Sequence, residues 1–296
     1  MILAIPLAFL AEWFERKVTA RIQRRIGPKY TGPFGILQPI ADFLKLFGKE
    51  EITIGSKEES LIPYLVLLPP TILLTCFLFL PFPSPIISFK GDVIFLLFLY
   101  SLAILSFVAI GYLVPNPYSN IGAGRLLQIF TSFEFLFIIS VVSAVIVKDS
   151  LTLEEISTQE IPLVILLPLS FAGYLLSSAA KLGFTPFDIP EAPTEIAGGW
   201  KCELTGRNLA MVRFSYDLEL LFLSSLGSLV FFGYHSFPIF IIETFSMIVL
   251  LSIIKNTTSR LRVDQAIYLL WGGAIPLSLL QLLLIGVWIW SGISFP

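Results

Sequence analysis

A chain of 296 residues that is 56% hydrophobic and only 14% charged, with a mean hydropathy of +0.87, is too apolar for a soluble domain, in which about 25% of residues are charged. A net charge of -2 offers no basic surface for nucleic acid. Two cysteines, Cys76 and Cys202, and one histidine, His235, cannot supply the three or four clustered ligands of a metal or iron-sulfur site. The composition is that of an all-α integral membrane protein forming one polytopic domain over residues 1–296, with no redox centre of its own.

Eight apolar runs are candidates for helices, judged against about 20 residues per crossing. They fall at 1–14, 61–83, 92–114, 126–147, 161–180, 209–233, 237–254 and 266–290. The first is short. Either it continues through Val18, or the natural start lies upstream, or it is a signal peptide; its positive charges follow the apolar run rather than precede it, which favours a retained helix.

The loop after it holds Arg16, Lys17, Arg21, Arg24 and Arg25, and then the turn residues Gly27-Pro28, Gly32-Pro33 and Gly35. From Ile36 to Lys49 the pattern has helical period. Ile36, Leu37, Ile40, Phe43, Leu44 and Phe47 share one arc and Gln38, Asp42, Lys45 and Lys49 the other, which predicts an amphipathic helix lying at the membrane surface, against lipid or a neighbouring helix. The loops near 15–60, 115–125, 181–208 and 255–265 are the basic ones. With Arg213 counted beside the loop before it, 17 of the 19 Lys and Arg fall on their side and 2 on the other. The positive-inside rule makes these loops cytoplasmic and puts both termini outside. Gly122 and Gly124 form a bare GxG, read as a turn; there is no P-loop, no dinucleotide fingerprint and no internal repeat.

Carboxylates carry the chemistry. Glu134 stands near the middle of the fourth span, where an ionisable group costs about 2.5–3.5 kcal/mol and demands a compensating role. It is either a proton-path acid or a packing hydrogen bond. Asp188, Glu191, Glu195 and Glu203 follow the fifth span in a loop stiffened by Pro186, Pro190, Pro193 and Gly198-Gly199; such a cluster can share protons or simply be solvated. Asp217 and Glu219 begin the sixth span as a relay into the membrane, or Asp217 pairs with Arg213 at i, i+4. Glu12 and Glu243 are weaker candidates.

Residues 15–50, ERKVTARIQRRIGPKYTGPFGILQPIADFLKLFGKE, resemble the first cytoplasmic loop of the NADH dehydrogenase subunit 1 family, the membrane subunits beneath the peripheral arm of respiratory complex I. PFDIPEA at 186–192 resembles that family's PFDLPEA, RLRVDQ with Trp271 its RxRxDQ and tryptophan, and Arg125, Ser132 and Glu134 its R to SYE spacing, with Phe133 in place of tyrosine. Related subunits occur in ion-pumping membrane-bound hydrogenases, F420H2 dehydrogenases and sulfur-reducing complexes. The resemblance implies a cofactor-free anchor and coupling subunit in a prokaryotic cell membrane. Its partners would be peripheral-arm subunits with iron-sulfur clusters and NiFe or flavin centres, hydrogenase-like large subunits and antiporter-like membrane subunits. Glu134, Asp188, Glu191, Glu195, Glu203, Asp217 and Glu219 would couple ion movement, while Arg16, Arg21, Arg24, Arg25, Asp42 and Lys45 would face a partner or a quinone-like headgroup.

The chain departs from the family where a quinone reductase shapes its chamber. Lys181 and Phe184 stand for the glutamate and arginine of ETNR, EAPTE for EAESE, ELTG for EYSG, and Tyr216 occupies the position of the sixth-helix acid. The expected function is therefore a coupling subunit of a ferredoxin-linked hydrogenase- or sulfur-type pump. The alternatives are a quinone-chamber subunit of an NADH or F420H2 oxidoreductase, a stand-alone ion transporter using Glu134 and Glu243, or an inert anchor.

Overall fold

The computed structural model describes residues 3–51, 58–81, 85–159 and 161–290. These residues are helical with no strand among them. In chain order the elements are α1 (Ala4–Ile22), α2 (Gln38–Phe47), α3 (Ile62–Leu65), α4 (Leu68–Cys76), α5 (Asp92–Leu113), α6 (Pro117–Lys148), α7 (Leu153–Ser157), α8 (Leu163–Leu166), α9 (Pro168–Lys181), α10 (Pro193–Ile196), α11 (Gly206–Phe231), α12 (Phe237–Thr257), α13 (Val263–Tyr268) and α14 (Ile275–Trp290). A π-helical stretch, Leu269–Ala274, joins the last two.

Five stretches among the described residues are long and apolar enough to cross a membrane: α5, α6, α11, α12 and Val263–Trp288. The other three expected spans take different forms. The first run extends through Val18 into α1, which ends at Ile22. The second, Ile62–Cys76, breaks after Leu65 and the fifth divides at Leu167 into α8 and α9. Prolines cause both interruptions. Pro69 and Pro70 open α4 and Pro168 opens α9, and a proline ring clashes with the preceding turn while offering no N–H to it. At about 1.5 Å per residue, the pieces are shorter than a hydrocarbon core of about 30 Å.

Helix α11 is the axis of the molecule. It packs against α1, α2, α4 and α12, and 83% of its apolar window is buried, against 28% for the window in Val263–Trp288. Its charged residues lie in the half that meets the acidic loop. The surface helix α2 is amphipathic as expected, but its apolar side is divided. Phe43 packs between Phe9 of α1 and Phe214 of α11, while Leu37 and Leu44 stay exposed.

Helix α6 is about 48 Å long, so it absorbs the expected loop at 115–125, and Gly122 lies inside it rather than in a turn. A Cβ at Gly122 would sit 2.6 Å from the Trp200 nitrogen. Gly199 is left-handed, with φ +62°, and a side chain there would collide with the Pro190 carbonyl. These two close approaches seat the loop after α9 on α6, and Trp200 is fully buried against Phe107.

Candidate functional site

Beneath that loop is a cavity of about 320 Å³ lined by the charged side chains Glu12, Glu15, Arg16, Glu191, Lys201, Arg213, Asp217 and Lys255, with Phe184 and Tyr216 among its walls. Four elements build it: α1, the loop after α9, the first turns of α11 and the last turn of α12. Glu12 and Asp217 both line it, each within electrostatic reach of the other. Arg16 closes the group by reaching both Glu12 and Asp42. Arg213 lines the cavity and forms no ion pair with Asp217, so the i, i+4 pairing expected for them is not seen. On the other wall, Lys255 donates to the buried Glu15 at 2.9 Å.

Deeper in, acids and lysines alternate. Lys201 is ion-paired with Glu191, and its ammonium stands 3.8 Å from the Tyr216 ring centroid. Burial pushes the Lys201 pKa below its usual value although Glu191 works against this. The Tyr216 hydroxyl also donates to Glu191, at 2.7 Å, and its ring stacks on Phe107. One turn along α11, Glu219 is 1% exposed and accepts the Tyr100 hydroxyl on Oε1 at 2.6 Å. Its Oε2 is buried with no hydrogen-bond partner among the described residues. On the far side of Tyr100, Lys181 donates to Glu134 Oε2 at 2.5 Å, and Ser101 bonds the other oxygen. The Lys181 ammonium lies 4.2 Å from the Tyr100 ring and 4.1 Å from that of Phe137. Glu134 is further framed by Trp271, which donates to Ser132 at 2.8 Å and stacks on Phe135.

The seven carboxyls Glu12, Glu15, Asp42, Glu134, Glu191, Asp217 and Glu219 thus face the five cations Arg16, Lys181, Lys201, Arg213 and Lys255. Acids outnumber cations in this partly buried set, the kind of charge balance in which neighbouring carboxyls can share protons.

The candidate residues separate into two groups. Glu134, Glu191, Asp217 and Glu219 belong to this set of acids. Asp188, Glu195 and Glu203 instead stand at the loop surface, bonded to Arg260, Arg125 and Asn116. Of the basic candidates, only Arg16 is in the cavity, with Asp42 behind it. Burial works against the Asp42 carboxylate, but hydrogen bonds from Arg16 and Gln38 outweigh it and hold the pKa below the usual value. Arg21 borders a separate apolar hollow with Trp13, Phe14, Val18, Ile22 and Phe34; Arg24, Arg25 and Lys45 are exposed. Among the described residues, Glu243 shares no hydrogen-bond or ion-pair partner with Glu134. Sequence reasoning missed Glu15, Tyr100 and Lys201, and treated Lys181 and Tyr216 only as departures. Lys181 carried a signal, since a lysine at the end of an apolar run needs a buried partner. Among the described residues, no cluster of His, Cys, Asp and Glu could hold a metal.

Comparison with known proteins places residues 1–286 in the family described as NADH dehydrogenase. The chain is similar to the H subunit of the NADH-quinone oxidoreductase of Dehalococcoides mccartyi (strain CBDB1), with 30% identity over 283 residues covering 92% of this chain and 80% of the relative. It is 32% identical to the corresponding NADH-quinone oxidoreductase chain of Brevibacillus brevis, covering 97% and 90%. NADH-ubiquinone oxidoreductase chain 1 of Formosania lacustris matches with 32% identity over 93% and 88%.

Proposed function

The chain belongs to the NADH dehydrogenase family of complex I membrane subunits, and on that premise we propose that it is the anchor and coupling subunit of a redox-driven proton or sodium pump. It links electron transfer in a peripheral arm to ion translocation through buried carboxylates. The observation that carries this reading is a pair of buried acid–lysine groups one turn apart on α11: Glu191 with Lys201 and Tyr216 at the cavity, and Glu219 joined through Tyr100 and Lys181 to Glu134. Charge arriving above the loop changes the relative energy of the proton positions along that run, and only such a differential interaction can drive a distant event. The partners are peripheral-arm subunits that carry the iron-sulfur centres, seated on the loop near 181–208, and antiporter-like subunits in the bilayer.

The finer reading is a ferredoxin-linked hydrogenase- or sulfur-type complex. Lys181 and Lys201 put ammonium groups among the acids, Phe184 lies under Lys255 at 4.2 Å, and the chamber wall is charged rather than apolar. A second reading has its own support. The relatives' names specify quinone, and the hollow of about 460 Å³ between Trp13, Phe14 and Phe34 is apolar with Lys17 and Arg21 at its rim, as an isoprenoid tail with a polar head would require. Assaying the purified complex with reduced ferredoxin and with NADH plus quinone separates the two, and quinone-dependent turnover refutes the first. The coupling role itself is tested in liposomes with the intact complex. Glu134→Gln and Glu191→Gln should keep electron transfer while the ions moved per electron fall; an unchanged ratio makes the chain an inert anchor. Ion flux through the chain alone would favour the stand-alone transporter.

A further inference from the structure

From the unpartnered oxygen of Glu219 and the position of Lys181, we propose that Lys181 is a moving cation that exchanges between Glu134 and Glu219, and so decides when Glu134 can take a proton. This rests on the coupling reading above and adds a positioning residue to it.

The geometry is specific. The Lys181 side chain is wholly buried at the end of α9, and its long flexible stem lets the ammonium swing without the backbone moving. Its present acceptor is Glu134 on α6. The alternative acceptor is Glu219 on α11, which interacts with it electrostatically across the ring of Tyr100. Tyr100 and Phe137 provide ring faces between these two acids, so the ammonium crosses a surface that attracts it rather than a bare apolar gap. Glu219 Oε1 is held by Tyr100, and Oε2 is open among the described residues. An unsatisfied oxygen in a fully buried carboxyl is costly, and the structure keeps it in a region that contains two ammonium groups, Lys181 and Lys201.

The step balances without a co-reactant. In one state Glu134 is a carboxylate bonded to the Lys181 ammonium, and the exchangeable proton is on Glu219. In the other, that proton has bonded to Glu134 Oε2, and the Lys181 ammonium, keeping its three hydrogens, has moved to the carboxylate of Glu219. One proton and one ammonium move in opposite senses, and no net charge is created in the interior. A lysine is suited to this because its charge is a compact group on a flexible stem, unlike the planar fork of arginine.

The test uses the intact complex and two readouts. Redox-difference infrared spectra should contain a protonated-carboxyl C=O band that changes between oxidised and reduced enzyme and is absent from Glu134→Gln. In Lys181→Met the band should drop out of the difference spectrum and stand in the absolute spectra of both redox states, because Glu134 has lost its cation. In liposomes, Lys181→Met should lower the ions moved per electron by about tenfold, within the range of a coupling free energy between two sites, while electron transfer stays near wild type. A wild-type complex with no redox-dependent Glu134 band overturns the proposal whatever the variants do. So does normal pumping by Lys181→Met when Glu134→Gln has lost pumping, and in that case the coupling reading survives. Normal pumping by Glu134→Gln instead removes the coupling reading and this inference together.

Discussion

The Lys181–Glu134 pair makes a stability prediction that is independent of turnover. The two residues are 5% and 8% exposed and join α9 to α6 across 47 positions of sequence. Replacing Lys181 by Met leaves a carboxyl whose Oε2 has lost its donor, and removing one partner of a buried pair costs about 3–5 kcal/mol. Replacing both, Lys181→Met with Glu134→Gln, removes the charge mismatch. Ser101 can still donate to the amide oxygen, and neutral substitutions of buried pairs are often near neutral in stability. Thermal melts of the wild-type complex, the two single variants and the double variant complete a double-mutant cycle. The double variant should recover most of the single-variant loss, giving an interaction energy of at least about 3 kcal/mol, the upper end of the range for coupled residues. Additive losses agreeing within about 0.5 kcal/mol would refute the pairing.

Three further outcomes follow from other parts of the structure. Tyr100→Phe leaves neither oxygen of Glu219 hydrogen-bonded, a loss of about 1–3 kcal/mol for a buried acceptor left unsatisfied, and should reduce ions moved per electron in liposomes more than it reduces electron transfer. Asp42 has its pKa held below 3.8, so the stability it contributes is fully present above pH 3.8 and lost as pH falls through the lower folded value. Acid titration of Asp42→Asn should therefore show a shallower loss of stability below about pH 4 than wild type, and an identical acid limb would mean the Arg16 contact is not formed in solution. For topology, Lys45→Cys and Ser236→Cys in a background lacking Cys76 and Cys202 should react with a membrane-impermeant maleimide from opposite faces, Lys45→Cys from the cytoplasm. Same-side labelling would overturn the charge-based orientation.

The helical class and most of the long spans were legible because a run of about 20 apolar residues is what a helix needs to cross the hydrocarbon core, and soluble domains seldom contain one. Their continuity was not. A hydropathy run such as 61–83 contains Pro63, Pro69 and Pro70, and the summed apolar signal hides that each proline breaks the local hydrogen-bond ladder. The GxG at Gly122 was misread as a turn for a related reason: glycine in a helix signals either a bend or a close approach, and only the packing of Trp200 against α6 decides which. Glu134 could be singled out from its isolation among apolar residues. The path from Glu219 to Tyr100 could not, because the two are 119 positions apart and nothing in either local stretch names its partner.

Lys181 connects these observations. A row of acids alone, buried under a loop, would repel its own members and hold its protons firmly. Two lysines alter that balance, since each gives a neighbouring carboxylate a reason to stay ionised, and the proton left over is confined to the sites not facing an ammonium. Glu219 is the acid between them, sensing Lys181 on one side and Lys201 on the other. On the proposal made above, movement of the Lys181 ammonium changes which acid is neutral without any helix having to move. Coupling by that route is short-ranged and local, and it places the decisive geometry at the junction of α6, α9 and α11 rather than at the surface acids Asp188, Glu195 and Glu203, whose partners already satisfy them.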